Sequence, residues 1–448
     1  MVFSRFFKDK GRDKGKDAPA SQPVEDGADA DDSDGDSDGA PEELIESTWA
    51  ERAERLLPSG TSTGSKRPSA LYGEAVIGDP YGPTHFARAS GCHVETIDGT
   101  SLVDCTMALG SVSFGYAEPQ ITRAVMEAAG SGNISGLPSV LEVDVAERFC
   151  ELVPCAEKVQ FLKSGAEAVS AAVRLARAYT SRDVVIGCGY FGWHDWCSTA
   201  PGVPASVRND YRAVPFDDVY ALNRVATEVG DRLAAIVLEP VIERMPSKEW
   251  IERARAICDA SGSVLIFDEI KTGFRLATGG YQDFAGITPD LAAFGKALAN
   301  GFPLSAVCGR AELMDVARRT WISSTLATDA SALAAAYVVL EQHREGGVCE
   351  QLAMIGGNMQ RVVGLAIKSS GIKGVTIAGI DPMWLLQFES AEAESRFLRA
   401  AVRHGVLFKR GAYNYASLAH DDEVILAIES AASNAFVEVR RAMEREHT

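Results

Sequence analysis

Two residues in this sequence have the type and setting to do chemistry together. One is Asp268, which closes the run Val264-Leu-Ile-Phe-Asp-Glu269; the other is Lys296, in Phe294-Gly-Lys-Ala297. An apolar run ending in carboxylates is the pattern of a buried parallel strand that delivers an acid to the carboxyl edge of a sheet. Lys296 is the only charged residue from Leu291 to Gly309. A lysine in such surroundings is desolvated, which lowers its pKa and frees a neutral amine to act as a nucleophile. Taken singly, each residue has an ordinary structural reading, a turn-capping acid and a solvated surface charge. Taken together they supply what pyridoxal 5'-phosphate (PLP) requires: a counter-ion for its ring nitrogen and an amine for its aldehyde.

Two further motifs fit the same ligand. Lys163-Ser164-Gly165-Ala166-Glu167 follows an expected strand and opens a helix. Ser164 suits an N-cap, and Gly165 lets an anion approach the free N–H groups at a helix end that carries partial positive charge. Gly189-Tyr190-Phe191-Gly192 follows the next strand, and an aromatic between glycines there can lie flat on a planar ligand. His194 and Cys197 stand nearby without a second close pair to complete a tetrahedral set, so no metal is expected. The loop from Ser59 to Pro68 ends in the adjacent cations Lys66 and Arg67. It reads either as a holder for an anionic substrate group or as an ordinary exposed loop.

These residues need a scaffold that brings strand ends to one edge. Strands are expected at Lys158–Leu162, Val184–Cys188, Ala234–Glu239, Val264–Asp268, Leu291–Phe294 and Ser305–Cys308, with amphipathic helices at about 165–180, 217–232 and 249–261. Such alternation implies an α/β protein with a mostly parallel, three-layer sheet. Right-handed connections put the functional strand ends on one edge. Ahead of this series come a helical period at 42–57 stopped by Pro58, a hairpin at 91–104 around Asp98-Gly99, and a helix at 119–130. Past Ser331 the expected order is two long helices (331–344 and 348–369), a strand at Trp384–Phe388, a helix at 392–404, a short strand and a closing helix at 421–445. The expected division is therefore a disordered tail at 1–42, an N-terminal segment of the small domain at 43–95, a large PLP-binding domain at 96–330 and the C-terminal α+β small domain at 331–448.

Composition narrows the partners. At 448 residues and 46% hydrophobic, the chain can bury a large core, and no apolar run approaches the ~20 residues a bilayer span needs. Its net charge of −18 argues against nucleic acid, whose phosphates call for clustered Lys and Arg. Nine cysteines without CxxC spacing, several inside apolar runs, and an N-terminus lacking a long apolar core fit a reducing cytoplasm. Residues 1–42 combine a basic patch at 5–16, beside Phe3, Phe6 and Phe7, with an acidic Asp/Ser/Gly run, and read as a disordered solubilising or regulatory tail.

As a set, Ser164–Ala168, Tyr190–Gly192, Asp268–Arg275 and Phe294–Pro303 resemble, in order, the motifs of the class III aminotransferases. Those are PLP enzymes of fold type I, and the sequence is similar to their glutamate-1-semialdehyde 2,1-aminomutase-like subgroup across about residues 45–445. The resemblance implies that Lys296 forms the Schiff base with PLP and shuttles the proton. Asp268 would pair with the pyridinium nitrogen, Tyr190 would stack on the ring, and the backbone of Gly165 and Ala166 with Ser164 would hold the phosphate. Thr325, in Ser324-Thr325-Leu326, matches the threonine that reaches the phosphate of a neighbouring subunit, which implies a homodimer with interface active sites. The activity implied is transfer of an amino group from an amino-acid donor to an aldehyde or keto acceptor, a keto-sugar or semialdehyde among them, through pyridoxamine phosphate. The alternatives are an aminomutase or racemase and, in another class, a non-catalytic scaffold.

Four departures from the family pattern stand out. Ala166 replaces a hydroxyl residue, and Lys271 stands where many members have Gln and the mutases Met. Asn414 stands where the mutases have Glu, and Lys66, followed by Arg67, where they bind substrate carboxylate with Arg. Lys66, Arg67 and Asn414 are the substrate-binding candidates.

Overall fold

The computed structural model describes residues 48–74 and 81–446. The expected tail, with its basic and acidic runs, lies outside them. Two units are distinguished, Met1–Gly60 and Thr61–Thr448. In the first, helix α1 (Trp49–Leu56) begins at a capping box. The Thr48 hydroxyl accepts from Glu51 N–H, and the Glu51 carboxylate accepts from Thr48 N–H.

The second unit is built on a seven-stranded sheet. Its strands are β4 (Lys158–Leu162), β5 (Val184–Cys188), β6 (Tyr211–Ala213), β7 (Leu233–Leu238), β8 (Val264–Asp268), β9 (Leu291–Phe294) and β10 (Ser305–Gly309), in the spatial order β4-β10-β9-β8-β7-β5-β6. The run from β9 to β6 is parallel, while β10 is antiparallel to both β9 and β4. Six of the strands match the sequence reading to within one residue at each end. The three-residue Tyr-Arg-Ala strand β6 was too short to carry a period.

Every residue of β7 and β8 is buried, as strands covered on both faces must be. Their side chains nevertheless divide by parity. Ala235, Val237, Val264 and Ile266 pack with the helix Gly165–Thr180 through Val169, Ala172 and Leu175. Ile236, Leu238, Leu265 and Phe267 pack on the opposite side with the helices Val219–Val229 and Lys248–Ser261, through Leu222, Val225, Trp250 and Ala254. This is the three-layer arrangement the alternating pattern implied.

Beyond the sheet, β1 (Phe86–Ser90), β2 (His93–Thr96) and β3 (Ser101–Asp104) form a meander that β13 (Val406–Leu407) extends in parallel, so the two ends of this unit share a sheet. A third sheet joins β11 (Val375–Ile380), β12 (Met383–Phe388) and β14 (Asn414–Tyr415). The helices Ala391–Arg403 and Asp422–Glu446 pack through Phe397 and Phe436, whose rings stack 4.3 Å apart. The helix Val140–Leu152 and strand β11 carried no expectation from the sequence.

Candidate active site

Register brings the chemistry together. Leu238 pairs with Phe267, and Asp268 pairs with Ala293, so β7, β8 and β9 end side by side at their carboxyl edge. The residues that follow are Glu239 after β7, Asp268 closing β8, and Lys296 three positions past Ala293. Asp268 and Lys296, with Lys271 from the turn after β8, line a cavity of about 620 Å³.

The adjacent acids Asp268 and Glu269 point to different tasks. Glu269 is fully buried, and its carboxylate accepts from the Thr272 hydroxyl and from Tyr281 N–H (2.7 Å) and Gln282 N–H (3.0 Å), so it anchors the chain after the turn. Asp268 accepts from Ile270 N–H at 3.0 Å and presents to the cavity. Burial, reinforced by the Glu239 charge, holds the Asp268 carboxyl well above the usual carboxylate range, against the pull of Lys271 and Lys296.

Lys296 adopts a left-handed φ of 46° at the start of a short 3₁₀ turn, a conformation that L-residues reach at a cost of about 1–2 kcal/mol. The turn is held from outside by Asn300, whose amide oxygen accepts from Ser113 and Phe114 N–H (2.9 Å each) and whose amide nitrogen donates to Gly115 O (3.0 Å). Burial, then the neighbouring Lys271, pulls the Lys296 ammonium down to about 7, with Glu239 and Asp268 opposing. The neutral amine expected from the sequence is thus available near neutral pH.

At the far end of the cavity the helix Gly165–Thr180 starts. Ser164 and Glu167 form a capping box in which the Ser164 hydroxyl both accepts from Glu167 N–H and donates to its carboxylate. The serine side chain is therefore spent on the helix. The N–H groups of Gly165 and Ala166 stay without intrahelical acceptors, as at any helix start, and are available to an anion. Gly192 packs on Ala166: a Cβ there would come within 2.4 Å of the Ala166 Cβ, so only glycine lets this loop close on the helix. The Tyr190 ring lies at the cavity wall and is 74% exposed.

These features fit PLP. A buried acid faces the cavity beside an amine that loses its proton near neutrality, and a helix start offers N–H groups for a phosphate. The other expected residues lie apart. Lys66 and Arg67 are exposed, and Lys66 lines a neighbouring cavity with Tyr72 and Arg88. Asn414 is buried, its side-chain oxygen accepting from Lys409 N–H at 2.9 Å, while its neighbours Tyr413 and Tyr415 line the main cavity. Thr325 is exposed on the loop before the helix Ala330–Glu345. Among the described residues no cluster of His, Cys, Asp and Glu could hold a metal.

Sequence reasoning passed over three groups. Glu239 had the same signal as Asp268, an acid ending an apolar strand. Arg275 lies fully buried, donating to Ala416 O and Gly110 O at 2.9 Å each, beneath the Tyr415 ring. Tyr413 and Tyr415 arrive from the far end of the chain, and no local pattern marks them.

A family model described as "Aminotransferase class-III" matches residues 78–190 and 193–421. The chain is 31% identical over 410 residues to a glutamate-1-semialdehyde 2,1-aminomutase of Methanopyrus kandleri, covering 83% of this chain and 92% of that one. It is 29% identical over 409 residues to a 3-aminobutyryl-CoA aminotransferase of Cloacimonas acidaminovorans, covering 88% and 97%. Among solved structures, the FumI protein of Sphingopyxis sp. MTA144, in its PLP internal aldimine form, superposes with a TM-score of 0.82 at 26% identity, covering 88% and 96%.

Proposed function

This chain belongs to the class III aminotransferases and is a PLP-dependent enzyme of fold type I; from that premise we propose that it moves an amino group from an amino-acid donor to an aldehyde or keto acceptor. The observation that carries the reading is the meeting of the Lys296 amine and the Asp268 carboxylate at neighbouring strand ends in one cavity. Bound PLP supplies an electron sink for the charge that develops at the donor's α-carbon. Lys296 would attach the cofactor and would take the α-proton and return it; an amine losing its proton near pH 7 suits both directions of transfer. The Asp268 carboxylate holds the proton of the ring nitrogen. The N–H groups of Gly165 and Ala166 would bind the phosphate, and Tyr190, on the same cavity wall, would stack on the ring. Of the sequence's substrate-binding candidates, Lys66, Arg67 and Asn414, none lines the wall around Lys296.

Intramolecular amino transfer, the activity named for the Methanopyrus relative, is the second reading. Asn414 does not separate the two readings, because its side chain is buried against Lys409 N–H and does not line that cavity. Incubated with donor and no acceptor, the holoenzyme should lose its yellow colour and release about one keto product per site, as a half-reaction requires. An isomerised donor without keto product would reverse the assignment.

We further propose a homodimer in the cytoplasm. Thr325 lies on a loop with two large exposed apolar side chains, Trp321 (90%) and Leu326 (56%), a combination that favours a covering partner. All nine cysteines are free, in keeping with a reducing compartment. Sedimentation velocity should give twice the chain mass; a monomer at working concentration would refute the assembly.

A further inference from the structure

Glu239 and Lys271 form an ion pair against the reacting groups. Lys271 stands in the turn after β8, and its ammonium meets the Glu239 carboxylate beyond the end of β7. The lysine side chain is 18% exposed and the glutamate 3%, so water screens the pair little. Glu239 is itself fixed, its Oε2 accepting from Tyr190 N–H at 3.0 Å. The fit is close: a Cβ on Gly189 would fall 2.5 Å from the Glu239 Cβ, so the loop carrying Tyr190 closes over the acid only through glycine. On its other side the Lys271 ammonium sits 4.7 Å from the centre of the Tyr413 ring, whose hydroxyl accepts from Glu243 N–H at 2.7 Å.

A cation clamped in this way is a poor receptor for a substrate anion, because its charge is already taken. It is well placed to act on its neighbours. The charged groups facing Lys296 are Glu239 just after β7, Asp268 from β8, and Lys271 and Arg275 from the following turn; the Tyr415 ring of β14 is centred 5.8 Å from its amine. Lys163 and Lys409 stand elsewhere on the same cavity wall. Within this set only Lys271 and Glu239 are bound to each other, and their charges have opposite effects on the same nitrogen.

We propose that Glu239 and Lys271 are positioning residues that work as one internally neutralised pair: Lys271 sets a cation in the cavity that holds the Lys296 nitrogen, Glu239 holds and offsets it, and each cancels the displacement that the other alone would impose on the pH at which that nitrogen sheds its proton. Burial is the largest single influence and disfavours the Lys271 ammonium, but Glu239, helped by Tyr413 and Tyr415, more than offsets it and holds the group above the usual lysine value, charged across the working pH range. The inference rests on the PLP reading above.

The test is a pH titration of the visible band of the PLP-loaded protein, which reports the proton on the Lys296 nitrogen rather than turnover. Removing the cation in Lys271→Gln should raise the midpoint by on the order of one pH unit, the size expected of a unit charge several ångströms away in a partly buried site. Glu239→Gln keeps an acceptor for Tyr190 N–H but strands the lysine charge, and should lower the midpoint by a similar amount. The double variant should return close to the wild type, because the two deleted charges cancel. If Glu239→Gln does not fold, with Lys271 buried and unpaired, Lys271→Gln and the double variant still decide. An unmoved or lowered midpoint in Lys271→Gln overturns the proposal, as does a double variant displaced as far as Lys271→Gln alone. A wild type with no cofactor band overturns the cofactor assignment, and this inference with it.

Discussion

Lys296→Ala should reduce turnover by ~10³-fold or more, because on the proposed reading one side chain supplies both the covalent attachment and the proton shuttle, and positioned proton transfer alone contributes about 10²–10⁴-fold. The loss should appear in kcat and in kcat/KM together, as it does when an interaction made only in the transition state is removed. The fold should persist, since among the described residues no hydrogen-bond partner of the amine depends on it, and the strained φ of 46° is no worse for alanine. The purified variant should bind PLP reversibly, and borohydride should no longer fix the cofactor to the chain. Undiminished turnover in this variant would remove the foundation of the functional reading.

Asp268→Asn should lower kcat by on the order of 10²–10³-fold, in line with deletion of other preorganised charge stabilisers. Asparagine keeps an oxygen for Ile270 N–H but has no charge to hold a proton on the ring nitrogen. The same change should make the cofactor-free protein more stable at alkaline pH. The sign follows from linkage. In the folded protein the Asp268 carboxyl titrates well above its unfolded value, because burial and Glu239 disfavour the anion. Between the two values the folded state holds the proton that the unfolded state has lost, so stability from this group falls as pH rises through that window. Above it the whole cost is present, and asparagine does not incur it. Urea midpoints of the two apoproteins should therefore diverge as pH increases and converge in acid. A wild type that is the more stable at alkaline pH would show that Asp268 is held as an anion by its cations, and that its charge carries no folding cost.

Much of this site was legible because its parts are local signals. Strands buried on both faces must be apolar throughout, so β7 and β8 show as runs, and the acids that end them stand out. A helix start needs a side-chain acceptor, and Ser164 marks it. Lys296 is conspicuous because no other charge lies within a long apolar stretch. The antiparallel turn of β10 between β9 and β4 was not legible, since an all-buried strand reads the same in either direction.

The substrate side was harder. Lys66, Arg67 and Asn414 were singled out by where they fall along the chain, and the fold puts none of them on the wall around Lys296. For Asn414 the reason is parity. In a strand, successive side chains face opposite ways, so when Tyr413 and Tyr415 face the cavity the residue between them cannot. A two-residue strand carries no period from which this could have been read. The value of Lys271 was likewise hidden, because its partner lies on another strand.

By itself, then, the sequence determined which elements form and which residues wait at their ends: Asp268, Glu239 and Lys296 at strand edges, and Gly165 and Ala166 at a helix start. The tertiary structure alone decided which ends are neighbours. Adjacent parallel strands are joined by crossovers of many residues, and their order and register follow from how helices pack on the two faces, a property of the whole core. That packing set Glu239 beside Asp268, gave Lys271 its counter-charge, and brought Tyr413 and Tyr415 from the far end of the chain to close the site.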